Sequence, residues 1–180
     1  MPSTAFRQAT SENEISLSKE ELLQAAVTGV LRRIESMKLG LQDAHGYEDT
    51  GGWDDDIEGA AGEMAFAKYR DRYWSFHVNT FMGGDVGRVH VRTCRRKDAS
   101  LIIRNGDPDD ELYVLVIGKS PVYKIVGWIL GRDSRKGEWV RAPNGRAPAW
   151  FVPQSVLNAF KNNEMVIQCP GCSGTTTVRV

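Results

Sequence analysis

The sequence contains little cysteine and no long apolar segment. Its 180 residues include three cysteines, Cys94, Cys169 and Cys172, so a fully paired disulfide framework would leave one thiol over. The longest apolar runs, such as Tyr113 to Ile117, fall far short of the roughly 20 residues that a membrane-spanning helix requires. The N-terminal residues lack the basic and apolar regions of a signal peptide. We therefore expect a protein of the reducing cytoplasm with no membrane partner.

An excess of charge of either sign is also absent. The 23 lysines and arginines balance 23 acidic residues, so any attraction to nucleic acid must come from a local patch. The sequence has no phosphate-binding loop, no dinucleotide-binding fingerprint and no serine nucleophile elbow. Hydrophobic residues make up 41% of the chain, which is ordinary for a globular protein. We expect one domain over residues 17–168, with a flexible leader at 1–16 and a C-terminal tail at 169–180.

A capping-box pattern marks the start of the first predicted helix, because Ser18 is followed three residues later by Glu21. Apolar residues then recur at steps of three and four positions, which places them on one helix face. The pattern predicts a helix over about 18–39, with Gly40 as its stop. The apolar residues of this face are Leu23, Val27, Val30, Ile34, Met37 and Leu41.

A second helix is predicted over 57–72, after three aspartates that would stabilise a helix N-terminus. Asp55 and Glu58 fit another capping box, so Glu58 is interpreted as a cap. Gly59 and Gly62 lie inside this helix, where each costs about 1 kcal/mol relative to alanine. The helix also contains Ala60, Ala61, Ala65 and Ala67. This concentration of small residues predicts close packing of the helix against a sheet.

Beyond residue 73 the apolar period changes to two, which is typical of β-strands. Glycine, asparagine and proline supply turns between the apolar stretches. The predicted strands cover 74–79, 88–94, 100–104, 112–118 and 123–131. Residues 132–148 are interpreted as a polar, basic loop. A short helix is predicted at 153–161, because Pro153 suits a first helical turn, and a last strand at 164–168.

Four polar residues in the middle third of the chain are candidates for a catalytic site: Glu63, Asp85, His90 and Arg92. Glu63 lies on the second predicted helix, and Asp85 lies in the glycine-flanked turn GGDVG. His90 and Arg92 are two positions apart in a predicted strand, so their side chains point to the same side of the sheet. We expect the four side chains to converge on one point.

The segment from about residue 55 to 130 resembles the core of the PD-(D/E)XK nucleases, which has the order α-β-β-β-α-β. In that family a glutamate often comes from the first core helix, an aspartate from the second strand, and an acid-x-lysine pair from the third. The resemblance matches Glu63 to the glutamate and Asp85 to the aspartate, and places His90 and Arg92 at the acid and lysine positions. It implies a single α/β (α+β) domain with a mixed central sheet flanked by helices, that is, a restriction-endonuclease-like core.

The resemblance also implies metal-assisted hydrolysis of phosphodiester bonds in DNA, with Mg²⁺ or Mn²⁺ bound by Glu63 and Asp85. The metal would polarise the phosphoryl oxygen and lower the pKa of the attacking water. His90 offers an imidazole, which suits Mn²⁺ better than Mg²⁺ and accepts a proton near neutral pH. Arg92 stays protonated, so it would stabilise charge on the phosphate rather than act as a general base.

Basic residues cluster around the strand predicted at 88–94. Arg88, Arg95, Arg96 and Lys97 are candidate contacts to nucleic-acid phosphates, although a solvated surface of mixed charge is the alternative. Trp139 lies in the polar loop and is a candidate for stacking on bases.

Cys169 and Cys172 have the two-residue spacing of half a zinc site. No second pair of cysteines follows them. We therefore do not expect a structural zinc ion there.

Three functions remain open at this point. The first is a divalent-metal-dependent nuclease acting on DNA. The second is a nuclease-like domain without catalysis that binds nucleic acid or regulates another protein, which His90 in place of an acid favours. The third is a phage accessory protein that binds a host protein. The strings GWDDDIEGAAGEMAFAK, GGDVG, VRT and GWILGRD resemble uncharacterised proteins encoded by tailed phages, and that likeness implies no activity.

Overall fold

The computed structural model describes residues 13–40, 52–76, 78, 84–143, 146–160, 165–168 and 175–178. Cys169 and Cys172 lie outside these residues. The described part of the chain forms a mixed α+β fold with two α-helices and several β-sheets. None of its helices is both long and apolar enough to cross a lipid bilayer.

The first helix, α1, spans Lys19–Lys38 and confirms the predicted capping box. The backbone N–H of Glu21 donates to Ser18 Oγ at 3.2 Å, and the backbone N–H of Ser18 donates to Glu21 Oε2 at 2.6 Å. The helix packs through its smallest side chains, because Ala25, Thr28 and Gly29 are its buried residues. The larger apolar residues Leu23, Val27 and Met37 are exposed.

The second helix, α2, spans Gly52–Tyr69 and thus begins five residues before the predicted start at 57. Asp55 therefore lies inside the helix, and the interpretation of Glu58 as a cap is wrong. The Glu58 carboxylate instead accepts hydrogen bonds from the Tyr123 hydroxyl at 2.7 Å and from the backbone N–H of Ser120 at 3.1 Å. Glu58 therefore links the helix to the turn beside the sheet rather than closing the helix end.

A four-stranded sheet forms the centre of the fold. Its strands are β1 (Glu14–Ser16), β2 (Val89–Cys94), β4 (Leu112–Lys119) and β5 (Val122–Leu130). The strand order is β1-β5-β4-β2. Strands β2 and β4 are parallel, whereas β4–β5 and β5–β1 are antiparallel, so the sheet is mixed, as expected. Strand β1 includes residues that the sequence assigned to the flexible leader.

A second, antiparallel sheet consists of β3 (Leu101–Arg104), β6 (Val140–Arg141) and β7 (Ala149–Val152), in the order β3-β7-β6. Separately, β8 (Met165–Gln168) pairs with β9 (Thr175–Val178). Strand β3 thus leaves the central sheet, although it lies between β2 and β4 in sequence. Strand β9 lies within the segment that the sequence assigned to a C-terminal tail.

Strand β4 is buried on both faces because the central sheet is the middle of three layers. Val114 and Val116 pack toward the helices, whereas Tyr113, Leu115 and Ile117 pack toward the second sheet. Each face of the strand therefore belongs to its own apolar core, which explains why this segment is a continuous apolar run rather than an alternating one.

Helix α2 lies directly against β2, as its small residues predicted. Ala60 and Ala61 are almost fully buried. A methyl group added at Gly62 would lie 2.7 Å from Cγ2 of Thr93 in β2, whereas a methyl group at Gly59 would meet nothing within 4 Å. Only the glycine at position 62 is therefore required by the approach of helix and sheet.

Three local predictions are wrong. The strand predicted at 74–79 is absent over Trp74 to Phe76, which have irregular backbone, and Phe76 has a φ of 53°. The helix predicted at 153–161 is reduced to a 3₁₀ turn at Gln154–Val156. Trp139 is not available for stacking on bases, because it is buried between the two sheets and carries Lys136 over its ring.

Candidate functional site

Glu63 lies on the face of α2 that packs inward, and only 5% of its surface is exposed. The guanidinium of Arg32, on α1, donates to Glu63 Oε1 at 2.6 Å and to Oε2 at 2.8 Å. The indole N–H of Trp74 donates to Oε2 at 3.1 Å. Burial of a carboxyl group requires such partners, since an unpaired charge in the interior is strongly unfavourable. Glu63 is therefore the centre of a buried cluster in which its carboxylate accepts three hydrogen bonds.

Asp85 lies in the turn that leads into β2 and is close enough to Glu63 for their charges to interact. Its Oδ2 accepts a hydrogen bond of 2.7 Å from the backbone N–H of Val91. Gly87, with a φ of 64°, allows the tight Val86–Val89 bridge that returns the chain to the strand. The turn that the glycines predicted is thus present, and it places Asp85 beside the helix face of β2.

The electrostatic environment of Glu63 combines opposing effects. Burial raises the pKa of the Glu63 carboxyl above its ordinary value, and the negative charge of Asp85 adds to this, while Arg32 and Trp74 oppose it. Burial lowers the pKa of Arg32, but the carboxylates of Glu63, Asp85 and Asp56 more than offset this and raise it, so the guanidinium stays charged. The Arg32 cation thus faces both members of the acid pair.

His90 and Arg92 lie on the opposite face of β2 from Glu63. Val89 and Val91 point toward α2, whereas His90 stacks on Tyr113 of the neighbouring strand, with ring centroids 4.9 Å apart. Alternate residues of a strand point to opposite faces. The predicted pairing of His90 with Arg92 on one side is confirmed, but that side faces the second sheet and not the acid pair.

The face that carries His90 and Arg92 has its own acidic partners. His90 Nε2 contacts Glu111 Oε2. Arg92 Nη2 donates to Asp107 Oδ1 at 3.0 Å and to Oδ2 at 3.1 Å, and Asp107 also accepts a 2.8 Å hydrogen bond from the backbone N–H of Arg104. These contacts fix the turn after β3 against the edge of the central sheet, so both candidate residues are engaged within the fold.

The four candidate residues therefore form two clusters on opposite faces of one strand rather than a single site. While Arg32 is hydrogen-bonded to Glu63, the pair of Glu63 and Asp85 does not fit Mg²⁺ or Mn²⁺. Both oxygens of Glu63 are occupied by a guanidinium whose positive charge opposes a second cation, and hard cations take several oxygen ligands at once. Among the residues that the structure describes, no group of three or more histidine, cysteine or acidic side chains is placed to hold a metal ion.

The four candidate phosphate contacts divide between the two ends of β2. Arg95, Arg96 and Lys97 follow the strand and are exposed, whereas Arg88 precedes it. A strand rises about 3.3 Å per residue, so Arg88 is roughly 20 Å from the other three. Arg95, Arg96 and Lys97 therefore form one surface, termed here the basic segment, to which Arg88 does not belong.

Several residues of these clusters were missed by sequence reasoning: Arg32, Trp74, Asp107 and Glu111. Each lies far along the chain from its partner, and Arg32 is 31 positions before Glu63. Periodicity and motif spacing report local structure, so they carry no signal for such pairs. Asp107 lies in one of the turns predicted from glycine, asparagine and proline, where nothing local indicates its contact with Arg92.

Comparisons with known proteins place no further constraint on the site. No protein-family model, no curated protein and no solved structure matches this chain.

Proposed function

We propose that this protein is a nucleic-acid-binding module with a nuclease-like α/β architecture, in which Arg32 keeps the acid pair of Glu63 and Asp85 closed to metal. The basic segment contacts the phosphate backbone. The observation that carries the binding proposal is the exposure of three consecutive cations, Arg95, Arg96 and Lys97, at one end of the central sheet.

The acidic partners of the basic segment are loosely held. Arg95 lies 3.8 Å from Asp54 and from Asp55, and Arg96 lies 3.5 Å from Asp98. All of these side chains are at least 43% exposed. Exposed ion pairs contribute at most about 1 kcal/mol and are screened by salt. Phosphates can therefore replace these carboxylates with little loss of protein stability.

The architecture supports the proposal in part. A mixed sheet with helices packed on one face and an acid pair beside its edge is compatible with the PD-(D/E)XK resemblance. The restriction-endonuclease-like order of elements stays a proposal, since β3 pairs in the second sheet.

Fluorescence anisotropy with a labelled DNA duplex tests the binding proposal. The variant Arg95→Gln with Arg96→Gln and Lys97→Gln removes three positive charges from the basic segment. The matched control changes three exposed cations elsewhere to glutamine, namely Lys119, Arg132 and Arg141. We expect the first variant to bind more weakly and to reduce the slope of log K against log salt by about 2 to 3, since each phosphate contact contributes about 0.9. Equal effects of both variants would contradict a specific role for the basic segment.

Metal-dependent hydrolysis of DNA is the second candidate function. It is favoured by the closeness of Glu63 and Asp85, whose charges interact. Hydrolysis would require Arg32 to release Glu63, after which the two carboxylates could take Mg²⁺ or Mn²⁺ and the ion would activate the attacking water.

A plasmid-nicking assay in Mn²⁺ separates the two candidates. Asp85→Asn keeps an oxygen that can accept the hydrogen bond from Val91 but removes the negative charge, so the fold should persist. Our proposal predicts no nicking by the wild type or by this variant. Nicking by the wild type that disappears in Asp85→Asn would establish the second candidate instead.

A further inference from the structure

A cavity of about 260 Å³ lies between the C-terminal end of α2 and the turn that precedes β2. Phe66, Val86 and Val89 provide apolar surface, and Arg70 and Arg72 provide positive charge. Neither candidate cluster described above contributes a side chain to its lining. The cavity is thus a separate feature, and its combination of cations with apolar surface is typical of a site for an amphipathic anion.

The backbone at the end of α2 places both arginines beside this cavity. The backbone N–H of Asp71 donates to the carbonyl of Lys68 at 3.2 Å, and that of Arg72 donates to the carbonyl of Ala67 at 2.9 Å. This is the hydrogen-bond pattern of a Schellman motif, in which the residue after the helix adopts a left-handed conformation. Asp71 has a φ of 51°. The chain therefore reverses at Asp71, with Arg70 before the reversal and Arg72 after it.

The charge of the cavity is of one sign. Arg70 and Arg72 line it together with Tyr73 and Gly87, and no acidic side chain is among the lining residues that the structure describes. Arg70 also lies over the ring of Phe160, with its guanidinium carbon 5.7 Å from the ring centroid. Guanidinium groups bind phosphate oxygens with two parallel hydrogen bonds. The pair of arginines therefore suits a bidentate oxyanion such as a phosphate group.

An exposed aromatic ring stands at the rim of the cavity. Tyr73 is 80% exposed, whereas tyrosine side chains are on average intermediate in burial. Its ring contacts Phe76 edge-on at 6.0 Å, and Phe76 in turn contacts Trp74 at 4.9 Å. Phe76 has a φ of 53°, which is unusual for a bulky residue and marks strain that is often found at functional sites. These contacts position Tyr73 while leaving most of its surface open to stacking.

We propose that this cavity binds one nucleotide, with Arg70 and Arg72 contacting its phosphate and Tyr73 stacking on its base. The volume admits a single small unit, since pockets for larger ligands measure about 300–1,000 Å³. The nucleotide is either free or the phosphorylated end of a strand. The proposal does not depend on the basic segment, which lies at the other end of β2.

Calorimetric titration with adenosine 5′-monophosphate, adenosine and inorganic phosphate tests the proposal for the free nucleotide. A labelled single-stranded oligonucleotide with a 5′-phosphate, compared with its 5′-hydroxyl counterpart, tests the strand end. Binding of the monophosphate more tightly than of adenosine, or of the 5′-phosphate strand more tightly than of the 5′-hydroxyl strand, supports the proposal and identifies the source. Absence of any such preference for the phosphorylated ligand overturns it.

Variants connect the binding to the cavity. Arg72 and Tyr73 are both exposed, so Arg72→Gln and Tyr73→Ala should fold normally, as an unchanged melting temperature would confirm. Each should weaken binding of the phosphorylated ligand at least about tenfold, given the strength of base stacking and of charge-assisted hydrogen bonds. Arg141→Gln, in β6, is the matched control and should leave binding of the phosphorylated ligand unchanged. Equal binding of the phosphorylated ligand by all three variants would overturn the assignment to this cavity. Loss of duplex DNA binding in the basic-segment variant would leave the assignment unchanged, because that variant does not alter the cavity.

Discussion

Arg32 donates hydrogen bonds to both carboxylate oxygens of Glu63, at 2.6 and 2.8 Å, from a different helix. The contact joins α1 to α2 at the point where the PD-(D/E)XK resemblance places a metal ligand. It supplies a fixed positive charge where a metal ion would otherwise compensate the acid pair. The same carboxylate also accepts from Trp74, which connects this cluster to the strained segment at the nucleotide cavity.

Removal of Arg32 should destabilise the protein strongly. Arg32→Met leaves the Glu63 carboxyl buried without its cation, and breaking one partner of a buried pair costs about 3–5 kcal/mol. The double variant Arg32→Met with Glu63→Met should recover most of this loss, because replacing both partners by apolar side chains is often neutral. Urea unfolding measures both free energies. A loss below about 1 kcal/mol for the single variant would show that the pair is not structurally important.

The stability contributed by Glu63 should depend on pH. Its pKa is raised in the folded state above the ordinary value of 4.5, so the folded protein binds more protons than the unfolded chain over the interval between the two values. The free energy of unfolding therefore falls as pH rises above 4.5 toward the folded-state pKa. We expect the free energy of unfolding of the wild type to fall, relative to that of Glu63→Gln, as the pH rises through this interval. Urea unfolding at a series of pH values measures both free energies. A wild-type free energy of unfolding that instead rises with pH, relative to Glu63→Gln, would show that Arg32 outweighs burial and lowers the pKa of Glu63.

Gly59 and Gly62, which lie in the interior of α2, should respond in opposite ways to alanine. Gly62→Ala places a methyl group against the short, branched side chain of Thr93, and such overpacking costs about 1–3 kcal/mol. Gly59→Ala meets open space and should stabilise the helix by about 1 kcal/mol. Thermal unfolding of the two variants compares them directly. Similar melting temperatures would mean that the helix does not approach the sheet as closely as described.

Sequence patterns predicted those parts of the fold that local chemistry controls. The capping box of Ser18 and Glu21, the packing of Ala60 and Ala61, and the strand at Val89–Cys94 are all present. Each depends on residues close in sequence, such as a side chain that caps its own helix or an apolar alternation along one strand. The turn at Asp85 was predictable for the same reason, since glycine residues on both sides indicate it.

The arrangement of the candidate site was not predictable in this way. Two-residue spacing correctly places His90 and Arg92 on one face, but it does not say which layer covers that face. The central sheet is covered on both sides, as the burial of β4 shows. The second sheet covers His90 and Arg92, whereas the helices cover the acid pair of Glu63 and Asp85. The partner of Glu63 was equally hidden, since Arg32 belongs to a separate helix.

His90→Glu distinguishes the two faces of β2 experimentally. At the acid position of the nuclease pattern, a carboxylate would be expected to strengthen metal binding. In this structure the new carboxylate would lie beside Glu111, so like charges would meet near Arg92. We expect lower stability at neutral pH and no gain in Mn²⁺ binding by calorimetry. A clear gain in Mn²⁺ affinity would mean that His90 and Asp85 share a site after all.

The most direct test of the central proposal is an anisotropy titration of one labelled DNA duplex, performed once in EDTA and once in Mn²⁺, with the same samples then separated on a denaturing gel. The closed acid pair and the exposed basic segment together predict equal binding in both buffers and intact DNA. Absence of binding in both buffers, or binding that requires Mn²⁺ and yields cleaved strands, would contradict the account.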